Sequence, residues 1–106
     1  MGFGNMNKMM KQVQKLQANM AKLQAELAER VVEASAGGGA VTVKARGDNE
    51  LVEIKIDTEV VDPEDMEMLE DMVLAAANEA LRKARDMVAE EMGKLTGGLN
   101  LPPGLF

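Results

Sequence analysis

Between residues 31 and 61 the chain switches between apolar and polar side chains with a period of two, and that pattern leaves few folds open. Three short runs carry it. Val31-Val32-Glu33-Ala34-Ser35-Ala36 is stopped by Gly37-Gly38-Gly39. Ala40-Val41-Thr42-Val43-Lys44-Ala45 follows, then the turn Gly47-Asp48-Asn49, then Leu51-Val52-Glu53-Ile54-Lys55-Ile56. In the last two runs Val41, Val43, Ala45, Val52, Ile54 and Ile56 fall on one face. Thr42, Lys44, Arg46, Glu53, Lys55 and Asp57 fall on the other. The pattern predicts a three-stranded antiparallel meander with one apolar face. The glycines supply the positive φ angles that tight hairpins need. Such a meander has two open edges and is not stable alone. Helices from the same chain must cover its face, and an edge is open to a second copy of the chain.

Helical patterns lie on both sides. In residues 6–30, Met6, Met9, Val13, Leu16, Met20, Leu23 and Leu27 follow a 3-4 spacing without a Pro or Gly between them. This is a heptad seam, narrow enough to suit contact between helices. Residues 63–92 form the second predicted helix. Asp62 is its expected N-cap, Pro63 its first helical position, and Glu64 and Asp65 match the positive end of its dipole. Its expected buried stripe is Leu69, Val73, Ala76, Ala77, Ala80, Leu81, Ala84 and Val88. Alanines at that density predict close approach of another backbone. Asn78, Arg82 and Arg85 take the opposite face, and Glu79 is placed to pair with Lys83. Gly93 is the expected stop. Residues 93–106, with Gly97-Gly98 and Pro102-Pro103-Gly104, read as a loop, and residues 1–5 as a frayed start. The whole is one α+β domain of 106 residues.

The residue inventory argues against catalysis. There is no His and no Cys, so the commonest general base, the strongest nucleophile and any disulfide or thiolate metal site are missing. No cofactor, metal or small-molecule substrate is expected. The acids Asp57, Glu59, Asp62, Glu64, Asp65, Glu67, Glu70 and Asp71 lack the spacing of a calcium loop and read as a solvated helix start. Gly37-Gly38-Gly39 lacks the following Lys-Ser/Thr of a phosphate loop and reads as a hairpin turn. No apolar run is long enough to cross a membrane, which predicts a cytoplasmic protein. The methionines, ten in all, read as adaptable core filler at Met9, Met10, Met20, Met66, Met72 and Met87. The alternative is a groove for apolar peptides, as in an adaptor or holdase.

The net charge is −6, yet the first 25 residues hold four lysines and no acid. Lys8, Lys15 and Lys22 share heptad position c and Lys11 is at f, so they form a stripe facing away from the seam. Such a stripe is either a solvated face or a row of phosphate contacts that positions the protein on a duplex without reading its sequence. Arg82, Lys83 and Arg85 extend that surface if the two helices lie side by side. Aromatic side chains that stack on unpaired bases are nearly missing, with only Phe3 and Phe106, so a single strand is not the expected ligand.

Taken together the pieces resemble the YbaB/EbfC family of small bacterial nucleoid-associated proteins. The segments that carry the resemblance are Met9-Met10-Lys11-Gln12-Val13-Gln14-Lys15-Leu16-Gln17, Gly37-Gly38-Gly39 with Val41 and Val43, Met68-Leu69-Glu70-Asp71-Met72-Val73, Ala75-Ala76-Ala77-Asn78-Glu79-Ala80, Leu95-Thr96-Gly97-Gly98-Leu99 and Leu101-Pro102-Pro103-Gly104. The resemblance implies the order helix, three strands, helix, and a tweezer-like homodimer with helices projecting from paired sheets. It also implies double-stranded DNA as partner and a part in nucleoid organisation and gene regulation. The expected DNA contacts are Lys8, Lys11, Lys15, Lys22, Arg82, Lys83 and Arg85. The expected dimer contacts are Val41, Val43, Val52, Ile54, Ile56, Leu16, Met20 and Leu23.

Overall fold

A computed structural model describes the backbone of residues 3–98 and the side chains of residues 6–95. The order is α1 (Phe3–Glu29), β1 (Val31–Ala36), β2 (Val41–Arg46), β3 (Leu51–Ile56), a 3-10 turn (Thr58–Val60) and α2 (Met66–Gly98). The three strands form one antiparallel sheet in the order β1-β2-β3. Ala34 faces Val43, which in turn faces Ile54, and Val41 faces Ile56. One face of all three strands is therefore apolar. A bulge between Lys44 and Ala45 shifts the register so that Ala45 meets Leu51. On the polar face Lys44 pairs with Glu53 at 3.2 Å.

The first hairpin turns as its glycines predict, with φ of 64°, 69° and 96° at Gly37, Gly38 and Gly39. The second hairpin works differently. Asn49 holds the positive φ, at 67°, while Gly47 makes room. The N–H of Gly47 donates to the carbonyl of Arg30 at 3.0 Å, and the N–H of Asp48 donates to that of Ala28 at 3.2 Å. The β2–β3 turn thus sits directly on the end of α1, and a Cβ on Gly47 would overlap the carbonyl of Leu27. Because that obstacle is backbone, it cannot swing aside. Gly47→Ala is expected to cost about 2 kcal/mol, lowering Tm by about 10 °C. Gly93, inside α2, has open space where a Cβ would stand, so Gly93→Ala is expected to stabilise by about 0.5–1 kcal/mol. Thermal denaturation of both variants checks the pair.

The helix start differs from the sequence reading. Asp62 to Asp65 forms a turn, closed by the Asp65 N–H donating to the Asp62 carbonyl at 2.9 Å. Asp65, not Asp62, caps α2, its Oδ1 accepting from the Met68 N–H at 3.3 Å. Pro63 therefore lies in the turn before the helix. At the other end Gly93 does not stop the helix; α2 runs through it to Gly98. A single glycine costs less than the tertiary contacts on either side of it supply. Lys94 to Gly98 are helical rather than loop, and Phe3 to Asn5 belong to α1. The remaining expectations for the two ends, from Leu99 onward and at Met1 and Gly2, lie outside the described residues.

The core is the sandwich of α2 on β1 and β2. Val41, Val43, Ala45, Ala76, Ala80 and Ala84 are fully buried, with Ala34 and Leu69 nearly so. The alanines let the helix axis come close to the sheet, as their density predicts. α2 crosses β1 and β2 but scarcely touches β3. The part of the apolar face that β3 supplies is therefore left open. The chain is long and thin, 79 × 22 × 15 Å.

Candidate nucleic-acid interface

α1 leaves the body as an arm. Its seam is covered by degrees: Leu27 is fully buried, Leu23, Met20 and Leu16 are half-buried, and Val13, Met9 and Met6 are exposed. The cover comes from the end of α2, where Leu95 shares a groove with Met9, Val13 and Leu16. Arg30 reaches Glu91 at 3.8 Å near the base of the arm. Helix contact along the seam is thus present from Leu16 to Leu27. The methionines expected to fill a core divide: Met9, Met10 and Met66 are exposed, Met20 and Met87 are half-buried, and Met72 packs against the core.

Lys8, Lys11, Lys15 and Lys22 are all exposed, and none forms an ion pair among the described residues. They stand off the seam of α1, with Lys15 also lining the groove of Leu16 and Leu95. Seven helical residues rise about 10.5 Å, so Lys8, Lys15 and Lys22 recur at that interval along the arm, with Lys11 beside them.

The cations of α2 are placed differently. Arg82 is held by Glu79, and Lys83 Nζ donates to the carbonyl of Glu33 on β1 at 3.1 Å. The anticipated Glu79–Lys83 pair is thus replaced by Glu79–Arg82, because β1 offers Lys83 an acceptor on the other flank. Arg85 is exposed without a carboxylate partner among the described residues. Arg82 and Arg85, at i and i+3, share the outer face of α2, while Lys83 is turned toward β1. All three lie over the sheet, short of the stretch where α1 and α2 meet, and do not continue the lysine stripe. Arg46 is a fixed cation as well. Hydrogen bonding to Asp48 foremost, then to Glu50, holds its pKa above the ordinary value, and both bonds keep it on its own turn. Lys55, exposed and without a carboxylate partner among the described residues, was not among the expected contacts.

The eight expected dimer positions also divide. Val41 and Val43 are fully buried beneath α2, so they belong to the core of the chain and offer no surface to a partner. Val52, Ile54 and Ile56 are exposed, Ile54 at 46%. Two residues outside the expected set are exposed as well, Leu74 at 61% and Val61. Met72 beside Gly37 and Lys83 on Glu33 mark one flank of α2 as the β1 side. The stripe Leu74, Ala77 and Leu81, spaced 3-4, is the other flank and looks toward β3. β3 and this flank make an apolar shelf. The signal for Leu74 was present in that spacing, but a second apolar stripe beside the first reads in sequence as one wide buried face.

Among the described residues no group of three or more acids is placed to hold a metal ion, and no helix is long and apolar enough to cross a membrane.

Residues 1–99 match the model of the YbaB/EbfC DNA-binding family. The chain belongs to this family. A nucleoid-associated protein of Pelotomaculum thermopropionicum is 64% identical, covering 97% of each chain. One of Moorella thermoacetica is 65% identical over 96% of this chain and 98% of its own. One of Bacillus thuringiensis is 59% identical over 99% and 96%. Among solved structures, an uncharacterised protein from Helicobacter pylori matches with a TM-score of 0.57 at 23% identity, over 82% of this chain and 96% of that one. That likeness concerns the fold: both share the helix-sheet-helix layout. Membership agrees with the resemblance drawn from the helix segments and the glycine hairpin.

Proposed function

We propose that this family member is a non-catalytic, nucleoid-associated protein of the bacterial cytoplasm. It binds double-stranded DNA as a homodimer, chiefly by phosphate contacts from the arms, and takes part in nucleoid organisation and gene regulation. The observation that carries this reading is the bare lysine stripe. Four cations on one helical arm have no acid paired with them among the described residues, in a chain that is acidic elsewhere. The family's description and the relatives' names support DNA as the partner.

The homodimer rests on the shelf of β3 and α2. Val52, Ile54, Ile56 and Leu74 form an apolar surface, for which water is a poor partner, beside a sheet edge whose unpaired N–H and C=O groups are open to a second strand. Two chains joined there bring two arms to one body, in tweezer fashion. Leu16, Met20 and Leu23 serve instead the junction of α1 with α2. Lys8, Lys11, Lys15 and Lys22 are the principal DNA contacts. Arg85 and Lys55 add secondary cations, while Arg82 and Lys83 contribute only if they give up Glu79 and Glu33.

A second reading has its own observation: Met6, Met9, Met10 and Val13 leave an apolar strip on the arm exposed. In that reading the arm grips helical peptides, as an adaptor or holdase does. Fluorescence anisotropy with duplex DNA of several unrelated sequences, and with an apolar helical peptide, separates the two. Similar affinity for every duplex and none for the peptide is expected. Peptide binding without DNA binding would overturn the proposal.

A further inference from the structure

On the β1 flank of α2, away from the shelf, lies a second apolar depression of about 410 Å³. Its floor is Ala36, Met68, Met72 and Ala75, and its walls carry Asp65, Glu67 and Asp71. Met68 is exposed in it. Glu67 and Asp71 make no ion pair among the described residues. Around them the charge is one-sided: from Asp57 to Asp71 the chain carries eight acids and no base. A dimer formed through β3 leaves this groove open.

The same chain holds a surface of matching chemistry. The free end of α1 presents Met6, Met9, Met10 and Val13 beside Lys8 and Lys11, and that apolar strip is exposed in the chain, Leu95 reaching only its Met9 and Val13 side. One chain cannot bring the two surfaces together. From Met68 to Leu95 the helix rises about 40 Å, and the end of α1 lies beyond Leu95. The protein is thus polarised along its length, with a basic methionine-bearing end and an acidic methionine-floored one. Two such surfaces at opposite ends make a heterologous contact, which propagates from copy to copy unless it closes into a ring.

We propose that the groove at the start of α2 receives the lysine-bearing end of α1 from another copy of this chain. The result is a head-to-tail assembly held by opposite charge and buried methionine. Its competition with DNA rests on the function proposed above, because Lys8 and Lys11 are used in both. An arm lodged in a neighbour's groove is withheld from phosphate, and a bound duplex withdraws the arm. The contact is electrostatic at an exposed site, so salt weakens it.

Sedimentation velocity of the full chain without DNA tests the assembly, at about 50 mM and about 0.5 M salt. Species larger than a dimer are expected at low salt, reverting to the dimer at high salt. The variant E67K/D71K changes two exposed side chains outside the cap and is expected to remain a dimer at both salts. Adding K8E/K11E to it is expected to restore association, which a damaged fold would not allow. A wild-type dimer at low salt, or association indifferent to E67K/D71K, would overturn the proposal. So would an added partner protein that alone fills the groove while no self-association occurs. A separate arm adds a DNA duplex to the low-salt assembly, and its dissolution is expected. Assembly that responds to E67K/D71K in a protein that binds no duplex would uphold the groove and refute the DNA function instead.

Discussion

Ile54→Asp is expected to give a folded monomer with an affinity for DNA roughly a hundredfold or more below that of the dimer. Ile54 sits on the apolar face of β3 beyond the reach of α2 and is 46% exposed within the chain. A carboxylate there stays hydrated in the monomer, so the α2 sandwich keeps its core of Val41, Val43, Ala76 and Ala80. In the dimer the same carboxylate is trapped between apolar surfaces, a position an unpaired charge does not tolerate. Affinity falls with the dimer because two linked arms bind with an avidity of about 10²–10⁴ over one. Light scattering gives the mass and circular dichroism the retained helix. A variant of native dimer mass would move the interface off β3, and an unfolded one would make the dimer a condition of folding.

The second large effect is expected at the arm. Lys8, Lys11, Lys15 and Lys22 are exposed and form no ion pair among the described residues, so replacing all four by Gln changes stability little. Each phosphate neutralised by a lysine contributes about 0.9 log units of affinity per decade of salt. Without the four, affinity at about 0.1 M salt falls at least about tenfold, and equally on every duplex sequence. Anisotropy on two unrelated duplexes reads it. A variant weakened on one sequence only would place Lys8 to Lys22 at base edges rather than phosphates. Unchanged affinity on both would remove α1 from the site.

Most of the fold was legible because local pattern and long-range packing agree. The period of two set all three strands within a residue, and the alanine-rich stripe of α2 found its burial on the sheet. What the pattern lacked was depth. Val41 and Ile54 are equivalent by alternation, yet one is fully buried and the other half open, because a single helix is too narrow to roof three strands. Heptad spacing in α1 likewise cannot tell which turns become covered; along the seam burial runs from Leu16 to Leu27, while Met9 and Val13 stay exposed. The cap moved from Asp62 to Asp65 because either aspartate suits the role, and the turn through Pro63 decides between them.

The candidate site was half legible. Four lysines at heptad positions c and f specify an outward stripe from sequence alone. Arg82 and Lys83 looked equally available, but their partners, Glu79 and the carbonyl of Glu33, depend on rotamers and on where β1 passes.

Salt dependence of binding to a mixed-sequence DNA duplex tests the central claim most directly, with the four-lysine variant alongside. The wild type should show log affinity falling linearly with log salt, with a slope of several units, and the slope should flatten by about 1 for each phosphate the variant no longer neutralises. A wild-type slope near zero, or no binding to any duplex at low salt, would contradict phosphate contact by the arms.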